Sequence, residues 1–211
     1  MIVNHMQAKY RMIRDLSGNN KYNGAYYYSK EICDRIIPNV ETDYNWITIN
    51  VEGHAYNHSI VFIHNNLHPE YYDWLKRYKD LVLVCGIPET AERMKYLGKT
   101  IYLPLSINVA EVEAYRREKT KDTAFAGRKS KRKDRYFGSG VEYLEGLPRE
   151  ALLARMAVFR NIYAVGRTAI EAACLGCKIL PYDDRFPDPS IWKVIDNLEA
   201  AKMLQEELNK L

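Results

Sequence analysis

The feature that most constrains the fold is a series of short, unbroken apolar runs separated by helix-like segments. The clearest runs are SIVFIH (Ser59–His64), LVLVC (Leu81–Cys85) and TIYLPL (Thr100–Leu105). A strand with one face in water alternates apolar and polar residues, whereas a strand covered on both faces is apolar throughout. The runs therefore predict a parallel sheet with helices on both of its faces.

Helix signals lie around these runs in the first half of the chain. The predicted elements are a helix over Ser29–Ile37 with Ser29 as its N-cap, a strand over Trp46–Val51, and helices over Pro69–Tyr78 and Pro88–Leu97. Proline suits the first turn of a helix, and glycine, here Gly98, suits the position just past its end. This alternation of strand and helix is typical of an α/β fold.

The second half repeats the alternation after a polar segment, Val109–Lys119, that is predicted to be helical. The predicted strands are Thr123–Ala126, Val141–Leu144, Asn161–Val165 and Lys178–Pro181, and the predicted helices are Pro148–Val158, Thr168–Leu175 and a long region over Ile191–Leu211. We expect two Rossmann-like domains, residues 1–107 and 108–211, with the C-terminal helix packing back on the first domain.

Composition narrows the class of protein. Of the 211 residues, 47% are hydrophobic and 27% are charged, as in ordinary globular proteins. No apolar run approaches the roughly 20 residues of a membrane span. The four cysteines are few for a secreted disulfide protein of this length, and the N-terminus lacks an apolar leader. We expect a cytoplasmic protein with reduced thiols and no membrane span.

The segment YAVGRTAIEAACLGCKILPYD, Tyr163–Asp183, indicates a ligand site. A strand leads through Gly166 into a short helix, whose N-terminal N–H groups favour an anion at the edge of the sheet. Gly166, Arg167 and Thr168 would hold a diphosphate, and Glu171 would accept hydrogen bonds from a ribose. The alternative is an ordinary strand–turn–helix with a solvent-facing glutamate.

A second candidate is AFAGRKSKRK, in which Gly127, Arg128 and Lys129 follow a strand. It belongs to a basic stretch, Arg116–Arg135, with ten Lys or Arg residues against three acids. Such a field favours a phosphate or the backbone of DNA or RNA, although a solvated basic loop is the alternative.

Further candidates lie in the first half. His64 follows a strand at the position where open α/β sheets carry catalytic groups, so it is a candidate general base, or else a cap of the strand. The loop containing Gly18, Asn19 and Asn20 is a candidate acceptor loop or an ordinary surface loop. Cys174 and Cys177 have no second cysteine pair to complete a zinc site, so we expect them to be buried, and we expect no metal.

The second half of the chain resembles the C-terminal domain of GT-B-fold glycosyltransferases through AFAGR, IYLPLSINV and GRTAIEAACLGCKILP. The resemblance covers residues 100–183 and extends to the first half only by architecture. It implies two Rossmann-like domains with parallel sheets facing a central cleft. It also implies that Glu171 holds the donor ribose, that Gly166–Thr168 hold the diphosphate, and that Arg128 and Lys129 add positive charge.

The chain departs from that family in three ways. It is short, as in compact enzymes of phages, and its N-terminal glycine loop is unconventional. Tyr163 stands eight residues before Glu171, where retaining members with paired glutamates carry an acid. The resemblance therefore implies an inverting, metal-independent transferase with His64 as its base and with no cofactor besides the nucleotide-sugar donor.

Two other classes of function stay open. A sugar-nucleotide epimerase or hydrolase would use the same scaffold, and a non-catalytic module would bind a nucleotide or nucleic acid through the basic stretch. The acceptor of a transferase is also open, with DNA as one candidate, bound through Arg116–Arg135.

Overall fold

A computed structural model of the chain describes residues 24–48, 56–63, 69–128 and 135–211. They form an α/β protein with two four-stranded parallel sheets. The chain divides into two compact units. The described residues of the first unit fall within Ala25–Pro104 and Asn197–Leu211, and those of the second are Gly24 and residues within Leu105–Asp196. No helix in these ranges combines the length and the apolar character that a membrane span requires.

The sheet of the first unit has strands in chain order, each parallel to the next. They are β1 (Asn45–Ile47), β2 (Ser59–Ile63), β3 (Leu81–Cys85) and β4 (Lys99–Tyr102). Every residue of β2 and β3 is buried. Two of the three apolar runs thus form the central strands, as expected for a parallel sheet. The third run, TIYLPL, belongs to the edge strand β4, in which only Ile101 is buried.

The helices of this unit are irregular. Helix α1 (Gly24–Glu31) continues as a π-helical turn (Ile32–Ile36) and a 3₁₀ turn (Ile37–Asn39), a 3₁₀ helix spans Pro69–Arg77, and α2 spans Pro88–Met94. The prediction that Ser29 caps a helix is wrong. Ser29 is buried inside α1, and its hydroxyl donates to the carbonyl of Thr48 over 2.8 Å, which ties the helix to the chain after β1.

The sheet of the second unit has the strand order β6-β5-β7-β8, all parallel. The strands are β5 (Lys121–Ala126), β6 (Val141–Leu144), β7 (Phe159–Tyr163) and β8 (Lys178–Leu180). The chain leaves β5 toward one edge of the sheet and later leaves β7 toward the other. The direction of winding therefore reverses between β5 and β7.

The described part of this unit contains three α-helices: α3 (Val109–Glu113), α4 (Arg149–Met156) and α5 (Arg167–Cys174). Helix α4 contacts α5. Helix α4 lies in the crossover from β6 to β7 and α5 lies in the crossover from β7 to β8, and these two crossovers run in the same direction across the sheet. Since such crossovers are right-handed, α4 and α5 lie on one face. The crossover from β5 to β6 runs in the opposite direction, which places its described residues 135–140 on the other face.

Several predicted helices were too long, by a few residues for Pro88–Leu97 and Pro148–Val158 and by more for two others. The helix expected over Val109–Lys119 ends at Glu113, because the following residues bind the C-terminal ends of other helices. Lys119 Nζ donates to the carbonyls of Ala157 (2.8 Å) and Leu175 (2.9 Å), which follow α4 and α5. In place of one helical region over Ile191–Leu211, a 3₁₀ turn (Pro189–Ile191) precedes α6 (Asn197–Leu208).

Helix α6 belongs to the first unit. It packs on the π-helical turn Ile32–Ile36, and its first residue, Asn197, donates to Glu31 over 2.8 Å. Ile32, Ile36 and Leu204 are fully buried. The last helix therefore completes the core on this side of the first unit.

A histidine with two acidic neighbours lies at the start of β2. His58 Nδ1 is 2.5 Å from Asp80 Oδ2, and Nε2 is 3.2 Å from Asp43 Oδ1. The ring stacks on Tyr44 with 3.9 Å between centroids. His58 and Asp80 both have the left-handed backbone, with φ of 56° and 54°. The hydrogen bond to Asp80, followed by the contact with Asp43, raises the pKa of His58.

This cluster predicts a loss of stability at alkaline pH. A raised folded-state pKa stabilises the protein fully below the unfolded value of about 6.5, and the contribution disappears as the pH rises through the folded-state pKa. We expect the melting temperature of the wild type to fall between about pH 6 and pH 9 relative to that of His58→Asn. Asparagine tolerates the left-handed backbone but does not titrate. Parallel pH profiles of the two proteins would contradict this assignment.

Candidate functional site

The candidate site lies at the carboxyl edge of the second sheet, where the winding reverses. Strands β5 and β7 are neighbours, and their ends lead directly into Gly127 and toward Gly166. In open α/β sheets, a ligand binds in the crevice outside the strand ends at such a reversal. The topology thus brings Gly127 and Arg128 to the same edge as Gly166, Arg167 and Thr168.

The turn after β7 requires glycine because of its backbone. Gly166 has φ 64° and ψ −143°, a combination that side-chain-bearing residues rarely adopt. A Cβ atom there would meet no atom within 4 Å, so backbone strain alone imposes the requirement. Helix α5 begins at the next residue, and Ala169 donates the first helical hydrogen bond to the Gly166 carbonyl over 3.0 Å. The first turn therefore faces the sheet edge with its positive dipole end.

Glu171, in the second turn of α5, is buried with 4% of its surface exposed. Its Oε1 accepts two hydrogen bonds of 3.0 Å, one from Arg149 Nε and one from Arg167 Nε. The alternative of a solvent-facing glutamate is therefore wrong. Within the described part of the chain, no hydrogen bond reaches the second oxygen, Oε2. Oε2 can therefore accept a hydrogen bond from a further donor.

The ion pairs extend from Glu171 to a third helix. Arg149, the first residue of α4, also donates through Nη1 to Glu111 Oε1 on α3. Asn108 caps α3, since its Oδ1 accepts from the Glu111 N–H and its Nδ2 donates to Glu111 Oε2 over 3.1 Å. The four charged groups, Glu111, Arg149, Glu171 and Arg167, sum to zero and join α3, α4 and α5.

The network keeps Glu111 and Arg149 charged. Burial opposes the charged form of Arg149, but Glu171 and Glu111 outweigh it and raise the pKa of Arg149. Burial likewise acts against a charged Glu111, but the hydrogen bond from Arg149 and its charge hold the pKa of Glu111 below the usual range. Near neutral pH the ion pair between these two residues is therefore complete.

Comparison with protein-family models, with curated proteins and with solved structures finds no match to the chain. The likeness to GT-B enzymes stays an expectation from the motifs.

Sequence reasoning missed Arg149 and Glu111. Two weak signals pointed to them. An arginine in the first turn of a helix, as in LPREALLARM, opposes the helix dipole and so suggests an acidic partner. Asn108 and Glu111 have the spacing of a capping box, which predicts a helix start but not an ion pair.

Several predicted site residues lie outside the described residues. They are the candidate base His64, the candidate acceptor-loop residues Gly18, Asn19 and Asn20, and Lys129 in the basic segment. Of the remaining donor-site candidates, Arg128 is exposed after β5, whereas Gly127, Arg167 and Thr168 are partly buried.

Part of the basic stretch has structural partners. Arg116 Nε donates to the carbonyl of Cys174 over 2.9 Å, and Lys121 pairs with Glu142 at 2.7 Å. Arg135 pairs with Asp184 at 2.6 Å and donates to the carbonyl of Tyr182. Residues 129–134 lie outside the described ranges. A polyanion partner for this stretch stays a prediction.

The cysteines near the end of α5 are buried thiols. Cys174 and Cys177 are both free, and burial is the main cause that raises the pKa of each. Lys119 Nζ lies 3.2 Å from Cys177 Sγ while it donates to the two helix-end carbonyls. Among the residues that the structure describes, no group of His, Cys, Asp and Glu side chains is arranged to hold a metal.

An aromatic cluster covers the sheet face opposite α4 and α5. Phe125 of β5 lies in register with Tyr143 of β6 and Tyr163 of β7. Phe137, from the β5–β6 connection, stacks on Phe125 at 5.4 Å and on Tyr163 at 4.5 Å. Tyr182, after β8, meets the Phe125 ring edge-on at 5.3 Å. The cluster therefore holds Phe137 against this face of the sheet.

Proposed function

We propose that the second unit binds the nucleotide part of a nucleoside-diphosphate sugar at the β5–β7 edge, and that the protein transfers the sugar to a hydroxyl acceptor. The observation that carries the proposal is the coincidence of three features at one place. The winding of the sheet reverses there, a glycine-only turn opens a helix, and a buried carboxylate keeps one oxygen for a ligand. A nucleoside diphosphate has an anion for the helix end and hydroxyls for the carboxylate.

Each group has a role in this proposal. The N–H groups at the start of α5 and the Thr168 hydroxyl bind the diphosphate, and Arg128 and Arg167 add positive charge. Glu171 accepts from the ribose hydroxyls through Oε2. The acceptor in this proposal binds on the first unit, which carries His64.

The transfer itself needs no metal in this scheme. The acceptor oxygen forms a bond to the anomeric carbon as the bond from that carbon to the diphosphate breaks. The acceptor proton goes to His64, and the nucleoside diphosphate leaves against the helix end and the arginines. Tyr163 stands where a second glutamate would be, and its ring stacks on Phe137, which favours a single-displacement, inverting reaction.

The first test is a thermal-shift screen of nucleoside-diphosphate sugars. A donor at 100 times its dissociation constant should stabilise the protein by about 2.7 kcal/mol. Glu171→Gln should abolish most of that stabilisation, whereas Glu150→Gln, an exposed glutamate on α4, should retain it. If no donor stabilises the wild type, the proposed function is wrong.

The second test identifies the reaction. With a labelled donor, a transferase releases nucleoside diphosphate only when an acceptor is present and the label moves to that acceptor. Release without acceptor indicates a hydrolase, and an altered sugar still attached to the nucleotide indicates an epimerase. His64→Ala should retain donor binding and lose transfer. Binding without turnover, together with a salt-sensitive gel shift on DNA, would instead indicate a binding module.

A further inference from the structure

We infer that Glu111 and Arg149 are positioning residues for Glu171, and that the site they build selects a diphosphate carrying neighbouring hydroxyls over a bare diphosphate. The inference rests on the proposed function, because it concerns the same ligand edge. Neither residue is placed against the ligand. Both act through the orientation of one carboxylate.

Two arginines hold the carboxylate of Glu171 through the same oxygen. Arg149 approaches Glu171 Oε1 from α4, and Arg167 approaches the same oxygen from one turn earlier on α5, each over 3.0 Å. Two donors on one oxygen fix the rotation of the carboxylate about its terminal bond. The orientation of Oε2 is therefore set before a ligand arrives, which lowers the entropy lost on binding.

Two carboxylates, those of Glu171 and Glu111, hold the guanidinium of Arg149. Its guanidinium uses Nε for Glu171 and Nη1 for Glu111, so carboxylates on α5 and α3 hold two sides of one planar group. Only 7% of the Arg149 side chain is exposed, against 43% for Glu111. Glu111 is in turn fixed by the cap residue Asn108. A change at the half-exposed Glu111 thus reaches Glu171 through Arg149.

Oε2 of Glu171 limits the class of ligand that this edge can bind. An ionised carboxylate oxygen accepts hydrogen bonds and donates none. A ligand that satisfies Oε2 must therefore bring a donor close to its anion. The two hydroxyls of a ribose next to the diphosphate meet that requirement, and inorganic pyrophosphate does not. Oε2 also repels a bare anion, so the carboxylate discriminates between the two.

The experiment compares two probes on four proteins. The probes are inorganic pyrophosphate and whichever of ADP, GDP and UDP stabilises the wild type most, and the proteins are the wild type, Glu111→Gln, Glu171→Gln and the double variant. We expect Glu111→Gln to weaken nucleoside-diphosphate binding by about three- to tenfold and to leave pyrophosphate binding unchanged. In the Glu171→Gln background the same change should have no effect on either probe.

The outcomes separate the two proposals. If the wild type binds nucleoside diphosphate and Glu111→Gln weakens both probes equally, or acts equally in both backgrounds, the positioning role is wrong while the proposed function stands. If no nucleoside diphosphate binds the wild type, the proposed function fails, and with it the ligand selection inferred here.

A readout without ligand tests the positioning alone. The Arg149 Nε–H signal in ¹⁵N-labelled protein should exchange with solvent much faster in Glu111→Gln than in the wild type, because the guanidinium loses its second anchor. Arg149→Lys, which keeps the charge but not the two-sided geometry, should weaken nucleoside-diphosphate binding as Glu111→Gln does. Unchanged exchange of the Arg149 Nε–H would overturn the inference.

Discussion

Replacing Arg149 with leucine should lower the free energy of unfolding of the second unit by about 3–5 kcal/mol. The change leaves Glu171, with 5% of its side chain exposed, with Arg167 as its only remaining arginine partner among the described residues, and it removes the link to Glu111. A buried carboxylate that loses a hydrogen-bonded cation retains its desolvation cost. Native-state hydrogen exchange of the β5 and β7 amides measures the loss within this unit.

The matched control for Arg149 lies on the same helix. Arg155 of α4 pairs with Glu142, but 53% of its side chain is exposed. Exposed ion pairs contribute about 0–1 kcal/mol, so Arg155→Leu should change the exchange of the same amides very little. Equal losses in the two variants would mean that the buried network contributes no more than a surface pair.

Replacing Phe125 with alanine should have an effect of similar size, about 3–5 kcal/mol. Its ring is fully buried, and it contacts Phe137, Tyr143 and Tyr182 with centroid distances of 5.3 to 6.1 Å. Alanine would leave a cavity between the sheet and the β5–β6 connection. Urea unfolding and hydrogen exchange of the β5 amides would measure the loss.

Tyr136 provides the control for Phe125. It lies one residue before Phe137 in the same connection, but 72% of its surface is exposed. Tyr136→Ala should change stability by no more than about 0.5 kcal/mol. A large loss in that variant, or a small one in Phe125→Ala, would show that the aromatic cluster does not hold this face.

The strands that are buried on both faces were predictable, because such strands are unbroken apolar runs in the sequence. LVLVC has the bounds expected for β3, and SIVFIH matches β2 over the residues that the structure describes. VEYL also has the bounds expected for β6, although only Leu144 of that strand is buried. The helix around Ser29 was not predictable in the same way. Serine is a common N-cap, but here its hydroxyl bonds the carbonyl of Thr48, 19 residues away, and the helix begins earlier at Gly24.

In the candidate site too, residues close together in the sequence were predictable, whereas contacts between distant residues were not. Gly166, Arg167 and Glu171 lie within one turn and helix, so their spacing alone indicated a ligand edge. Arg149 is 22 residues from Glu171 and 38 residues from Glu111 along the chain. Each of these pairings depends on how the helices pack. Ion pairs of this kind follow from tertiary structure, which single-sequence patterns do not encode.

The first unit takes its residues from both sides of the second along the chain. Helix α6 packs on the fully buried Ile32 and Ile36, yet it follows Asp196, the last residue of the second unit. During translation, the ribosome therefore releases the entire second unit before the helix that completes the first. Until then, the nascent first unit exposes apolar surface around these isoleucines. The first unit is therefore completed only after the second unit has been synthesised, and until then it depends on protection from aggregation.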